Sequence, residues 1–150
     1  MEHSTALISY LLSLIFYLLS FISYLTKAMS RDSITFEKSK RFASRVVKLY
    51  SYLTRKNEFV MSKQVLRAGT SIGANLAESV YAASTSDFLN KVTIALKECN
   101  ETRYWLELLH DNSFITKRMY VSILADCDDI LHLLISTVKT LRTRISKESK

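Results

Sequence analysis

The sequence predicts an all-α protein, an antiparallel up-and-down four-helix bundle preceded by a separate N-terminal hydrophobic helix. Three observations lead there. The 150 residues include no proline and only two glycines, too few of the residues that tight turns and β-hairpins require. Apolar residues make up 48% of the chain, enough to fill the core of one domain. Placed at the helical period, these residues fall on a single stripe in each of four successive segments, so each segment has one face to bury.

The N-terminal segment stands apart. No charged residue occurs from Ser4 to Thr26, and an apolar run of about 20 residues is long enough to cross a bilayer as a helix. Lys27 and Arg31 follow the run and Glu2 precedes it, so a real span would leave the remainder of the chain in the cytoplasm. A cleaved signal peptide fits worse, because no Lys or Arg precedes the run and no small-x-small site follows it. A further reading takes Met29, where the composition changes to SRDSITFEKSKRF, as the true start of translation. With these readings open, residues 1–30 form a hydrophobic segment and residues 31–150 the bundle domain. A membrane is a partner only if the segment is real.

The first bundle helix is predicted over about 36–56. Phe42, Val46, Leu49, Tyr50 and Leu53 share one arc, while Lys38, Arg41, Arg45, Lys48 and Arg55 share the adjacent one. The second, about 62–82, carries Val65, Leu66, Gly69, Ile72, Gly73, Leu76, Ala77 and Val80 within one arc. Both glycines therefore lie inside a buried stripe. A helical Gly costs about 1 kcal/mol against Ala, so close approach by a neighbouring helix is the expected compensation, with Gly69, Gly73 and Ala77 as the packing residues. A phosphate-binding loop would need a preceding strand and a Gly-Lys-Ser/Thr ending, and neither is present.

The third helix opens at STSD, where Ser84 can cap and Asp87 occupies the capping-box position, and it runs to about His110. Its inward arc holds Phe88, Val92, Ala95, Cys99, Leu106 and Leu109. Ile94 and Trp105 lie on the other side among Lys97, Glu98 and Glu101, which marks them as an expected subunit contact. DNSFIT supplies the next turn. The fourth helix carries Met119, Ile123, Cys127, Ile130, Leu134, Val138, Leu141 and Ile145 on one stripe.

The residues offer little to catalysis. Glu107-Leu-Leu-His110 and Asp129-Ile-Leu-His132 resemble halves of a di-iron site, but Asp129 and His132 face away from the apolar stripe and the other helices supply no inward carboxylate. The three histidines have no glycine-flanked nucleophile and no strand framework to hold one. Cys99 and Cys127 lack metal-ligand spacing and read as small core residues in a reducing compartment. No enzyme activity, cofactor or metal is therefore expected.

Charge is the informative property. The net charge is +7, and the surplus sits in residues 38–67 and 137–150, while residues 68–136 are net acidic. Five cations on one arc, Lys38, Arg41, Arg45, Lys48 and Arg55, can track a nucleic-acid backbone by neutralising phosphates. Tyr52 lies beside them, whereas Tyr50 is placed toward the core. The alternatives are an acidic protein partner docked on the same stripe, as a scaffold would dock it, and a merely solvated face.

SKQVLRAGTSIGANLAES resembles the "QL.R...SI..NIAEG" core of the four-helix bundle family named after the 23S rRNA intervening sequence protein. DFLNKVTIALKECNETRYWLELL is similar to its next signature, "F...L..A..E..ET.YWL.LL". The likeness covers about residues 36–145. Ser79 stands where the family usually has glycine, which predicts that the second helix continues past it. The resemblance implies a small cytoplasmic bacterial protein without established catalysis. It also implies a homo-oligomer, since similar bundles form ring-shaped pentamers. A related accessory protein of diversity-generating retroelements is a basic pentamer that works with a reverse transcriptase and nucleic acid, although a shared fold does not carry function with it.

Overall fold

The computed structural model describes the backbone of residues 2–148 and the side chains of residues 10–22 and 34–147. It contains four helices, α1 (Glu2–Thr54), α2 (Met61–Ser79), α3 (Thr85–Asp111) and α4 (Lys117–Glu148), and no strand among the described residues. The protein is all-α. The hydrophobic N-terminal run and the first bundle helix both fall within α1, which has 53 residues. Between Thr26 and Phe36 there is neither glycine nor proline, so nothing in the backbone forces a stop.

The chain divides into two compact units, Met1–Ile34 and Thr35–Lys150, and the division falls within α1. In the first unit every described side chain, residues 10–22, is exposed, Tyr10 and Phe16 most of all. The rest of the uncharged run lies outside the described side chains. Among the described residues no helix is long and apolar enough to cross a membrane.

In the second unit all four helices contribute to one core. Phe42, Val46 and Leu53 from α1, Val65 and Ile72 from α2, Val92, Leu106 and Leu109 from α3, and Ile130 and Leu134 from α4 are fully or almost fully buried. These are the stripes that the helical period marks out. Contacts between neighbouring helices pair residues in opposite order. On α1 and α4, Lys38 meets Asp129 and Arg45 meets Asp126. On α2 and α3, Arg67 meets Glu101 and Glu78 meets Lys91. Between α3 and α4, Cys99 lies against Cys127 while His110 stacks on Tyr120.

The helix ends show where local chemistry decides. Ser84 caps α3 as expected: its Oγ accepts the Asp87 amide at 3.1 Å, and the Asp87 carboxylate accepts the Ala83 amide at 3.0 Å. α2 begins under a cap that the sequence reading missed. Glu58 is buried, its Oε1 accepts the amides of Val60 and Met61 at 3.0 and 2.8 Å, and its Oε2 accepts that of Ser62 at 2.5 Å. N-cap signatures are built on short side chains next to the helix, whereas Glu58 reaches in from three residues upstream.

α2 also ends at Ser79 rather than continuing. The Tyr81 and Ala82 amides bond the carbonyls of Glu78 and Ser79, tightening the last turn, and the Ser79 hydroxyl bonds the Leu76 carbonyl. No left-handed residue is used there. α1 and α3 end differently. Asn57 and Ser113 each adopt φ 62°, and the amides of Glu58 and Phe114 reach back to the carbonyls of Leu53 and Leu109. With both glycines inside α2, left-handed caps that favour glycine fall on other residues.

The three expected packing residues of α2 separate. A Cβ on Gly69 would stand 2.9 Å from a Val46 methyl, and one on Gly73 would stand 3.3 Å from the Ser39 hydroxyl, so both glycines face α1. Ala77 is exposed, as is Val80. The buried stripe of α2 drifts from the predicted arc toward Ala68 and Ser79, because the helix faces neighbours on two sides.

Candidate functional site

The five cations proposed from the α1 stripe do not act alike. Lys38 bonds Asp129 at 2.7 Å, and that ammonium holds the Asp129 carboxyl below its ordinary range. Arg45 pairs with Asp126 and also donates to the Ser122 carbonyl at 3.0 Å and its hydroxyl at 2.8 Å. Both side chains tie α1 to α4. Their charge is largely answered within the molecule, and a backbone phosphate would have to displace a carboxylate to reach them.

Arg41, Lys48 and Arg55 are different. All three are exposed, and among the described residues none has an ion-pair or hydrogen-bond partner. Arg41 and Lys48 lie seven residues apart on α1, two helical turns less about 20°, with a step of about 10.5 Å along the axis, and Arg55 follows in the turn just past Thr54. The hydroxyls of Ser44 and Ser51 turn back onto the carbonyls of Lys40 and Val47, leaving the cations as the reaching groups on this face. Lys40 is exposed beside them.

Tyr52 lies where the sequence did not place it. Its ring packs against the core cluster, and the Lys56 ammonium sits 4.9 Å from the ring centroid. It is not a free stacking platform. The basic tail extends α4, with Lys139, Arg142 and Lys147 exposed, while Lys150 lies outside the described residues.

The expected subunit-contact residues are half-buried. Ile94 is partly covered, and Trp105 packs against the core while its Nε1 donates to Glu101 at 3.1 Å. Glu101 also receives Arg67 from α2, and its carboxyl is held below its ordinary value, first by the Trp105 bond and then by Arg67. Tyr104 meets the Trp105 ring edge-on at 5.1 Å and is 54% exposed, which makes it the outward aromatic of this surface. Sequence position alone could not separate Tyr104 from Trp105, since adjacent helical residues sit only 100° apart.

Two of the groups that resembled halves of a metal site are engaged elsewhere. His110 stacks on Tyr120 at 4.6 Å with 17° between planes, and Asp129 holds Lys38. The two cysteines are free and buried with sulfurs 3.6 Å apart; the bond from Cys99 and burial both push the Cys127 thiol upward, away from the reactive thiolate.

A family model described as 23S rRNA-intervening sequence protein matches residues 31–136. No curated protein matches the chain. Among solved structures, a crystal structure of a protein with unknown function from the S23 ribosomal protein family of Bacteroides thetaiotaomicron VPI-5482 is 54% identical. It covers 73% of this chain and 98% of its own, with a TM-score of 0.72.

Proposed function

The chain belongs to the 23S rRNA-intervening sequence protein family, and on that premise we propose that it is a non-enzymatic, homo-oligomeric, antiparallel four-helix bundle that binds RNA or DNA through the free basic line of α1. One observation carries the reading: Arg41 and Lys48 on α1 and Arg55 just past its end stand exposed, and among the described residues none of them has an ion-pair partner. Cations placed so release counterions when a phosphate backbone docks, which supplies affinity without sequence preference.

Three contacts in one subunit are weak, and oligomerisation multiplies them. The half-buried pair Ile94 and Trp105, together with exposed Tyr104, is the surface we assign to the subunit contact. A ring of five, as in similar bundles, would repeat the basic line around an axis. The reading places the bundle in the cytoplasm, free or tethered by residues 1–30.

The test is fluorescence anisotropy with mixed-sequence RNA and DNA. Binding should weaken with salt at a log–log slope of roughly −2 to −3 per engaged subunit. Charge reversal at Arg41 and Lys48 should lower affinity about tenfold or more at low salt. No binding at low salt, or indifference to both reversals, sinks the proposal. Arg45, which the sequence grouped with them, is the wrong probe, because reversing it breaks the tie to α4. A protein partner that stays bound to the same line after nuclease digestion would instead support a scaffold that docks an acidic protein.

A further inference from the structure

A second feature lies at the end of the helical domain where α1 stops, α3 stops and α4 starts. The turns there line an open cavity of about 290 Å³ whose walls include Tyr52, Lys56, His110, Ser113, Thr116 and Lys117. That volume lies at the lower limit for small-molecule sites, sized for a compact group and not for a large cofactor.

The lining is one-sided in charge. It contains two lysines and no Asp or Glu. Neither Lys56 nor Lys117 has an ion-pair partner among the described residues. Lys56 is held over the Tyr52 face, which positions its ammonium without neutralising it. The Thr116 hydroxyl already accepts the Met119 amide at 3.3 Å, so its own hydrogen is left to donate. Ser113, held in the left-handed region, contributes a second hydroxyl, and His110 forms a wall fixed by its stack on Tyr120.

We propose that this cavity binds a phosphomonoester group. Two ammonium groups and two hydroxyl donors around a compact space fit a tetrahedral oxyanion. A monoester carries about −1.5 to −2 at neutral pH, which two lysines can answer, whereas a phosphodiester carries only one charge. The cavity also adjoins the end of the basic line, since Lys56 directly follows Arg55. The phosphate can come from the end of a nucleic-acid strand or from a free monoester, and only the first source rests on the nucleic-acid reading.

The experiment is isothermal titration calorimetry of the full chain at low salt with three probes: an oligonucleotide phosphorylated at both ends, the same oligonucleotide with hydroxyl ends, and inorganic phosphate. The phosphorylated strand should bind about tenfold more tightly than its twin. That preference and the binding of inorganic phosphate should both disappear in K56A and in K117A, while R41E weakens both strands and leaves their ratio unchanged. Lysine-dependent phosphate binding without an end preference assigns the cavity to a free monoester. The same binding without any strand binding removes the nucleic-acid reading alone. Strands bound equally, with phosphate binding absent or unaltered by both lysine variants, overturn the cavity proposal alone; no binding of any probe overturns both.

Discussion

Gly69 and Gly73 lie one turn apart on α2, yet they meet different neighbours on α1. A Cβ on Gly69 would press within 2.9–3.0 Å of both Val46 methyls, and Val46 is fully buried and β-branched, so it cannot rotate aside. G69A should therefore lose more to overpacking than it gains in helix propensity, a net destabilisation of about 1 kcal/mol. A Cβ on Gly73 meets only the Ser39 hydroxyl at 3.3 Å, with nothing else nearer than 3.9 Å. That hydroxyl can give by a few tenths of an ångström and keep its bond to Phe36, so G73A should stabilise by about 0.5 kcal/mol. Opposite signs in urea titrations would establish that α1 and α2 touch most closely at Val46. The sequence pointed to both positions, but only the identity of the facing atoms separates them. Ser113 offers a second residue-scale expectation. With φ 62° at the end of α3, S113G should relieve left-handed strain and raise stability by about 1 kcal/mol in the same assay.

Between elements, α2 and α3 are joined by a shared carboxylate. Glu101 accepts Arg67 from α2 and Trp105 from its own helix, and its proton affinity is lowered from the ordinary 4.5. A carboxyl that binds its proton less tightly when folded stabilises the fold above the unfolded value and loses that contribution as pH falls through the folded value. E101Q should thus cost about 0.5 kcal/mol at pH 7, a figure kept small because the pair is partly exposed to water. The gap between wild type and variant should narrow below about pH 4.5 and close at lower pH, as read by urea midpoints across pH. A gap constant with pH would contradict the assignment of charge to this contact. The start of α3 was legible in advance because STSD places a hydroxyl and a carboxylate at fixed spacing from the helix. The start of α2 was not, because Glu58 caps through a long side chain that the local pattern does not mark.

For the whole molecule, the core is built from residues after Thr35, and no described side chain before Ile34 is buried. A chain begun at Met29 should keep the cooperative helical unfolding of the parent, with a midpoint shifted by no more than about 0.5 kcal/mol in stability, the range of surface changes. Circular dichroism against urea checks this, and a broadened or non-cooperative transition would mean that the upstream segment completes the fold.

Helices, their buried stripes and the basic bias of α1 were legible from residue order, because a period of 3.6 residues is a local property that every sufficiently patterned segment expresses by itself. Which cations remain free was not. Lys38 finds its carboxylate 91 residues away and Arg45 finds its own 81 away, and such pairs exist only once α1 and α4 lie side by side. The same holds for the cavity walled by Lys56, His110 and Lys117, since three chain segments must converge before their charges share a space. Periodicity is written along one helix, whereas the partner of a charge depends on distances through space.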